Sequence, residues 1–215
     1  MKAVRHALLA GLAAVATLGT LLVHASTAHA AVIPDCTSTA PTSADSAFAA
    51  RVKPILTGTM SQSFNASRAA CVRVIVQAVK GRGLPSHAAT IAITTTIVES
   101  GIQNLPYGDR DSLGLYQQRP SQGWGTESQI LDPVHSTNSF LSSMLSKYPN
   151  NSWLTAPVGE VCQRVQISGF PERYGQQAAD GARIALAAWG STAAAGDYNA
   201  DGHSDLALYR RDPVN

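Results

Sequence analysis

HAATIAITTTIVES, residues 87–100, is the stretch on which the fold turns. Thr90, Ile91, Ile93, Thr94, Thr95, Thr96, Ile97 and Val98 are β-branched, and side chains stiff at χ1 favour the pleated surface of a strand. Length argues the other way. Fourteen residues without a turn signal are long for a strand and ordinary for a buried helix. Pro85-Ser86, just before them, is a helix start with proline suited to the first turn. Propensity alone does not decide between the two.

The flanking text is helical. Upstream, Asn65-Ala66-Ser67 opens a helix whose apolar residues Ala70, Cys71, Val74, Ile75, Ala78 and Val79 recur at three- and four-residue steps, ending at Gly81 and Gly83. Downstream, residues 101–127 are rich in glycine, proline and polar groups and read as a long structured loop. Asp132-Pro133 begins a helix carrying Phe140, Leu141, Met144 and Leu145. Pro157-Val158-Gly159-Glu160 begins another with Val161, Cys162, Val165 and Ile167, and an alanine-rich helix runs from Ala178 to Trp189. Five or so helices, no alternating strands and no internal repeat predict one mainly α domain over residues 50–190.

The ends differ from this domain. Lys2 and Arg5 precede an apolar run from Ala7 to Val23, and Ala28-His29-Ala30 follows with the small-x-small pattern of a cleavage site. Residues 1–30 therefore read as a secretory signal peptide, and the protein is expected outside the membrane. Lys2 and Arg5 account for two of the 16 basic residues, which leaves 14 of each sign beyond residue 30. A balance of that kind supports neither nucleic-acid nor membrane-surface binding, and a monomer is expected. Residues 31–49, small, polar and proline-bearing, read as a flexible leader. Export favours a disulfide among Cys36, Cys71 and Cys162. Cys71–Cys162 is the preferred pair, since it would tie two distant helices, with a bridge from Cys36 to either as the alternative. No close Cys/His grouping suggests a zinc site.

Chemistry concentrates in VESGIQNLPYGDRDSLGLYQQRP, residues 98–120. Here the chain resembles the soluble lytic transglycosylase and goose-type lysozyme superfamily. Those proteins end a buried helix in Glu-Ser and continue, after a loop, into Gly-Leu-Met-Gln-x-x-Pro. In this chain Glu99-Ser100 is followed, fifteen positions after the glutamate, by Gly114-Leu115-Tyr116-Gln117-Gln118-Arg119-Pro120, with tyrosine in place of the methionine. The longer string GDRDSLGLYQQRPSQGWGT, residues 108–126, is also similar to one carried by a group of secreted actinobacterial proteins and phage tail-measure domains. Asp111-Ser112 stands where the family usually has Gly-Ala. The resemblance covers residues 65–190 and implies a helix over residues 86–100 despite the β-branched run.

It further implies cleavage of the β-1,4 bond between N-acetylmuramic acid and N-acetylglucosamine in peptidoglycan, with Glu99 as the single acid/base and no catalytic cofactor. Glycoside cleavage needs a carboxylic acid kept protonated near neutral pH, and an apolar helix end supplies the burial that does this. In the transglycosylases the substrate's acetamido group takes the place of the second carboxylate. Asp109 and Asp111 are the candidates for positioning a water, or else they build a turn with Arg110. The remaining assignments are substrate-facing with structural alternatives. Ser100 contacts sugar or steadies the loop. Gln117 reaches sugar through its amide. Tyr116 is pocket wall or core, and Trp124 stacks on a ring or packs inward. Arg119 meets an acidic peptide stem or an aspartate, and Tyr174 matches a tyrosine that lines the family's cleft.

Residues 191–215 form a separate element. Asp197, Asn199, Asp201 and Asp205 stand at positions 1, 3, 5 and 9 of a loop with Gly202 at position 6, a pattern suited to Ca²⁺. Leu208 at position 12 rules out an EF-hand. The string resembles the calcium loop of an FG-GAP or VCBS propeller repeat, with only part of one repeat and its short β run present. Too few repeats remain for a calcium-dependent adhesin. The rival to the glycosidase is a cell-wall-binding protein that keeps the lysozyme-like fold without turnover.

Overall fold

The computed structural model describes residues 36, 37 and 40–190, and these are mainly helical. The expected signal peptide and the expected calcium loop (Asp197, Asn199, Asp201, Asp205) lie outside the described residues. Eight α-helices are present among them: α1 Ser43–Val52, α2 Met60–Ser63, α3 Ala66–Gly81, α4 Ser86–Ser100, α5 Glu127–Ile130, α6 Pro133–Lys147, α7 Val158–Gln166 and α8 Glu172–Trp189. None is long and apolar enough to cross a membrane.

The contested stretch is a helix. α4 runs through the middle of the domain, with α3, α6, α7 and α8 packed round it. Every residue from Ala88 to Ile97 is buried. An element enclosed on all sides has no polar face to advertise its period, so β-branched composition is a poor guide to its conformation. The threonines fit because their hydroxyls bond within the helix: Thr95 donates to the Ile91 carbonyl and Thr96 to that of Ile93, each at 2.9 Å. Against α8 the approach is close. A methyl group at Gly181 would lie 2.0 Å from the Thr94 hydroxyl, so only glycine admits this contact.

Helix starts follow their caps. Asn65 accepts from the Arg68 N–H at 3.1 Å to begin α3. Asp132, followed by Pro133, accepts from Val134 and His135 to begin α6. α8 begins at Glu172, earlier than the alanine-rich segment predicts.

Two expectations are corrected. The leader is ordered well before residue 50: Thr42 and Asp45 form a capping box for α1, Ala49 and Val52 are buried, and Asp45 pairs with Arg73 of α3 at 3.0 Å. That ion pair, the Arg73 guanidinium foremost, holds Asp45 at a pKa of about 2. The disulfide joins Cys36 to Cys71, not Cys71 to Cys162. Cys162 is a buried free thiol against α4, 3.5 Å from the Ile91 carbonyl, while Cys71 meets the N-terminal segment. A bridge of this kind is typical of proteins folded in oxidising compartments.

Candidate functional site

Glu99 is the penultimate residue of α4, which ends at Gly101. Its carboxylate is half-buried and accepts a hydrogen bond from the Tyr174 hydroxyl of α8. Burial pushes the Glu99 carboxyl above the ordinary carboxylate range. The Tyr174 hydroxyl, the Gln166 amide and the charge of Arg173 favour the carboxylate and are outweighed. Tyr174 is wholly buried, and burial together with the neighbouring carboxylate pushes its own pKa up, so the phenol remains a donor.

The segment after Glu99 folds back on the end of α4. Leu113 and Gln118 exchange backbone hydrogen bonds at 2.9 and 3.0 Å, closing a tight turn over Gly114-Leu115-Tyr116-Gln117. Gly114 is required twice over. Its φ is +74°, and a methyl group there would come within 2.7 Å of the Ile130 carbonyl oxygen. Ser100 fastens the turn to the helix, its buried hydroxyl donating to the Leu115 carbonyl at 2.7 Å and receiving the Gln103 N–H at 3.2 Å. From the other side Gln166 of α7 donates to the Tyr116 carbonyl at 2.7 Å while supporting Glu99. Glutamate, signature turn and α7 are thus held together by one connected set of hydrogen bonds.

This set borders a cleft of about 780 Å³, with Glu99 in its wall. The loop contributes Asp109, Gln117, Arg119 and Trp124, and the end of α6, the α7–α8 connection and the start of α8 contribute Lys147, Ile167, Phe170 and Arg173. Gln117 faces the cleft with its amide bonded to the Gly114 and Tyr107 carbonyls. Trp124 is half-buried, one part on the core and another in the cleft wall. Ser100 is buried and spent on the turn, so it steadies the loop.

Three residues read as either substrate-facing or structural take structural positions. Tyr116 is wholly buried, stacked on Phe140 with its hydroxyl donating to Thr137 at 3.1 Å, so its side chain is core and not cleft. Asp111 does not face Glu99. Ser121 and Arg119 hold it far below the usual carboxylate range, with Arg119 Nε at 2.6 Å and the Ser121 N–H at 2.8 Å. That pair also accounts for Arg119. Asp109 lines the cleft with its side chain 94% exposed and 4.0 Å from Arg110, and among the described residues it is the only other acid on the cleft. No group of acids, histidines or cysteines that could hold a metal occurs among the described residues.

The part of the lining outside the loop was not anticipated. Gln166, Lys147, Ile167, Phe170 and Arg173 come from three helix ends distant in sequence from Glu99. A signal was present in Ile167-Ser168-Gly169-Phe170, where two large apolar residues flank a serine and a glycine in a connection too short to bury them. No protein-family model matches the chain, and no curated protein matches it either.

Proposed function

We propose that this is an exported protein with a lysozyme-like domain that cleaves peptidoglycan between N-acetylmuramic acid and N-acetylglucosamine. Glu99 acts as the acid and then the base. The observation that carries the reading is the half-buried carboxyl at the end of an apolar helix, raised in pKa by burial and open to a cleft. A group of that kind can give its proton to the glycosidic oxygen as the bond to the anomeric carbon breaks.

The second carboxylate lining the cleft, Asp109, is 94% exposed and lacks the enclosed setting of Glu99, which favours the transglycosylase course over water attack. The substrate's acetamido group would stabilise the cationic centre. Glu99, now a carboxylate, would remove the proton of the sugar's own 6-hydroxyl, giving a 1,6-anhydro end. Gln117, its amide nitrogen bonded to the Tyr107 and Gly114 carbonyls, would offer the sugar its amide oxygen, and Trp124 a partly open aromatic face.

Purified peptidoglycan treated with wild type and Glu99→Gln, with products weighed by mass spectrometry, tests the reading. Anhydro ends made by wild type alone are the expected result, and reducing ends would mean hydrolysis. No soluble fragment from either protein, with both bound to the wall, would establish the non-catalytic wall-binding alternative.

A further inference from the structure

Lys147 and Arg173 bring positive charge to the part of the cleft lining formed by the ends of α6 and α8, where the charge of Arg173 also reaches Glu99. Lys147, at the end of α6, is half-buried in the cleft wall, and Arg173 stands in the first turn of α8. Neither pairs with a carboxylate among the described residues, whereas Arg119 of the loop is bound to Asp111. Arg173 is exposed, but Lys147 is a partly desolvated cation without a partner, which is costly, and an anion placed beside it recovers that cost.

The same cleft lining carries an apolar pair. Ile167 is 74% exposed and Phe170 61% exposed, and the Arg173 guanidinium sits over the Phe170 ring at 6.0 Å. Ile167 holds φ at +56°, a left-handed conformation that is strained for a β-branched residue. The chain therefore keeps an isoleucine in an unfavourable conformation where it meets water. Gln163 braces this connection by donating to the Ser168 carbonyl at 2.8 Å.

We propose that this part of the cleft lining is a subsite for the acidic peptide branch of the wall polymer. Lys147 and Arg173 receive its carboxylates, and Ile167 and Phe170 receive its short aliphatic side chains. The inference rests on the glycosidase reading only in taking peptidoglycan as the ligand. A neutral glycan offers these residues nothing to pair with. A nucleic acid would have to bring its phosphates against Glu99 and Asp109, and the charge balance beyond residue 30 provides no wider basic field.

The test uses the full chain carrying Glu99→Gln, so that binding is read without turnover and without any influence of Arg173 on Glu99. Two soluble probes are compared by titration calorimetry. One is a disaccharide-tetrapeptide fragment with free stem carboxylates, and the other is the same fragment with those carboxylates converted to carboxamides. The expected result is a preference of roughly tenfold for the acid form, as two charge-assisted contacts predict, weakened by added salt. Lys147→Gln with Arg173→Gln removes the preference, and Phe170→Ala weakens both probes alike.

Equal affinity for the two probes, no binding of either, or a preference that survives both glutamine substitutions overturns the proposal. The two readings fail separately. Charge-dependent binding with no cleavage by wild type sinks the glycosidase and keeps the subsite. Cleavage of free and amidated walls at equal rates, with equal affinities, does the reverse.

Discussion

Replacing Tyr174 with phenylalanine removes one oxygen from a wholly buried ring and leaves its packing intact. That oxygen carries the hydrogen donated to Glu99 Oε1. A hydrogen bond to a charged acceptor is worth about 1.5–3 kcal/mol, and about 1.4 kcal/mol corresponds to a tenfold change in proton affinity. The phenol bonds the carboxylate preferentially, so its loss raises the Glu99 pKa further. Because Glu99 is only half-buried, water can take the vacated place, and the lower end of the range applies, about one pH unit upward. Carbon-13 NMR of protein labelled at glutamate carboxyls, with the Glu99 resonance identified through Glu99→Gln, reads this directly and needs no turnover. In wall digestion the alkaline limb of the pH profile moves upward by the same amount, since the acid form persists to higher pH. A carboxyl that titrates unchanged, or lower, in the phenylalanine variant would refute the assignment of Tyr174 as the donor that restrains Glu99.

Other substitutions probe separate parts of the argument. A carboxyl raised by burial keeps its proton longer in the folded than in the unfolded chain, so its contribution falls as pH rises from the ordinary 4.5 to the folded value. Glu99→Gln should therefore unfold at higher temperature than wild type at pH 7, match it near pH 3, and lose turnover by at least about a hundredfold. Asp45 has the opposite sign: its stabilisation is complete above the ordinary 3.8 and is lost as pH falls to about 2. Discounted for the exposed side of Arg73, it amounts to roughly 1–2 kcal/mol, so denaturant unfolding of Asp45→Asn should show that loss at pH 7 and none near pH 2. Gly114→Ala meets both a positive φ and the Ile130 carbonyl and should cost at least about 2 kcal/mol in the same assay. Peptide mapping of the non-reduced protein should recover Cys36 linked to Cys71, and its reduction should cost about 2–4 kcal/mol. The Cys162 thiol, its pKa pushed up to about 12 by burial, should react with a thiol probe only after unfolding.

How much of this could be read from residues alone depends on how local the deciding interaction was. The starts of α3 and α6 were legible because a cap acts over three or four residues, Asn65 and Asp132-Pro133 each announcing a helix, while α4 begins just after Pro85 without a side-chain cap. α1 was not legible. Its Thr42–Asp45 capping box is local, but its residues are small and its amphipathic pattern is faint, and Asp45 meeting Arg73, 28 positions away, and Cys36 meeting Cys71 add long-range ties. α4 lay between these cases. Its β-branched run is a strand signal that loses to enclosure by four other helices, and no window of sequence contains that enclosure.

The site divides along the same line. The spacing from Glu99 to Gly114 is a local property of one connection, and the turn it predicts is the one Ser100 fastens to the helix end. Inside that turn, however, Leu115 and Tyr116 point to the interior and Gln117 to the cleft. Tyr116 and Gln117 are neighbours in the chain, yet one stacks in the core on Phe140 and the other borders the cleft. Sequence order left Tyr116 open between pocket wall and core, and only the anchor points of the turn, the Leu115 and Tyr116 carbonyls held by Ser100 and Gln166, fix that it turns inward. The environment of Glu99 is less local still. The groups that favour its carboxylate arrive from α7 and α8, so the balance that decides its protonation is set by tertiary packing. A motif can therefore nominate the carboxyl, but its acidity belongs to the fold, and that acidity is the quantity the Tyr174→Phe titration measures.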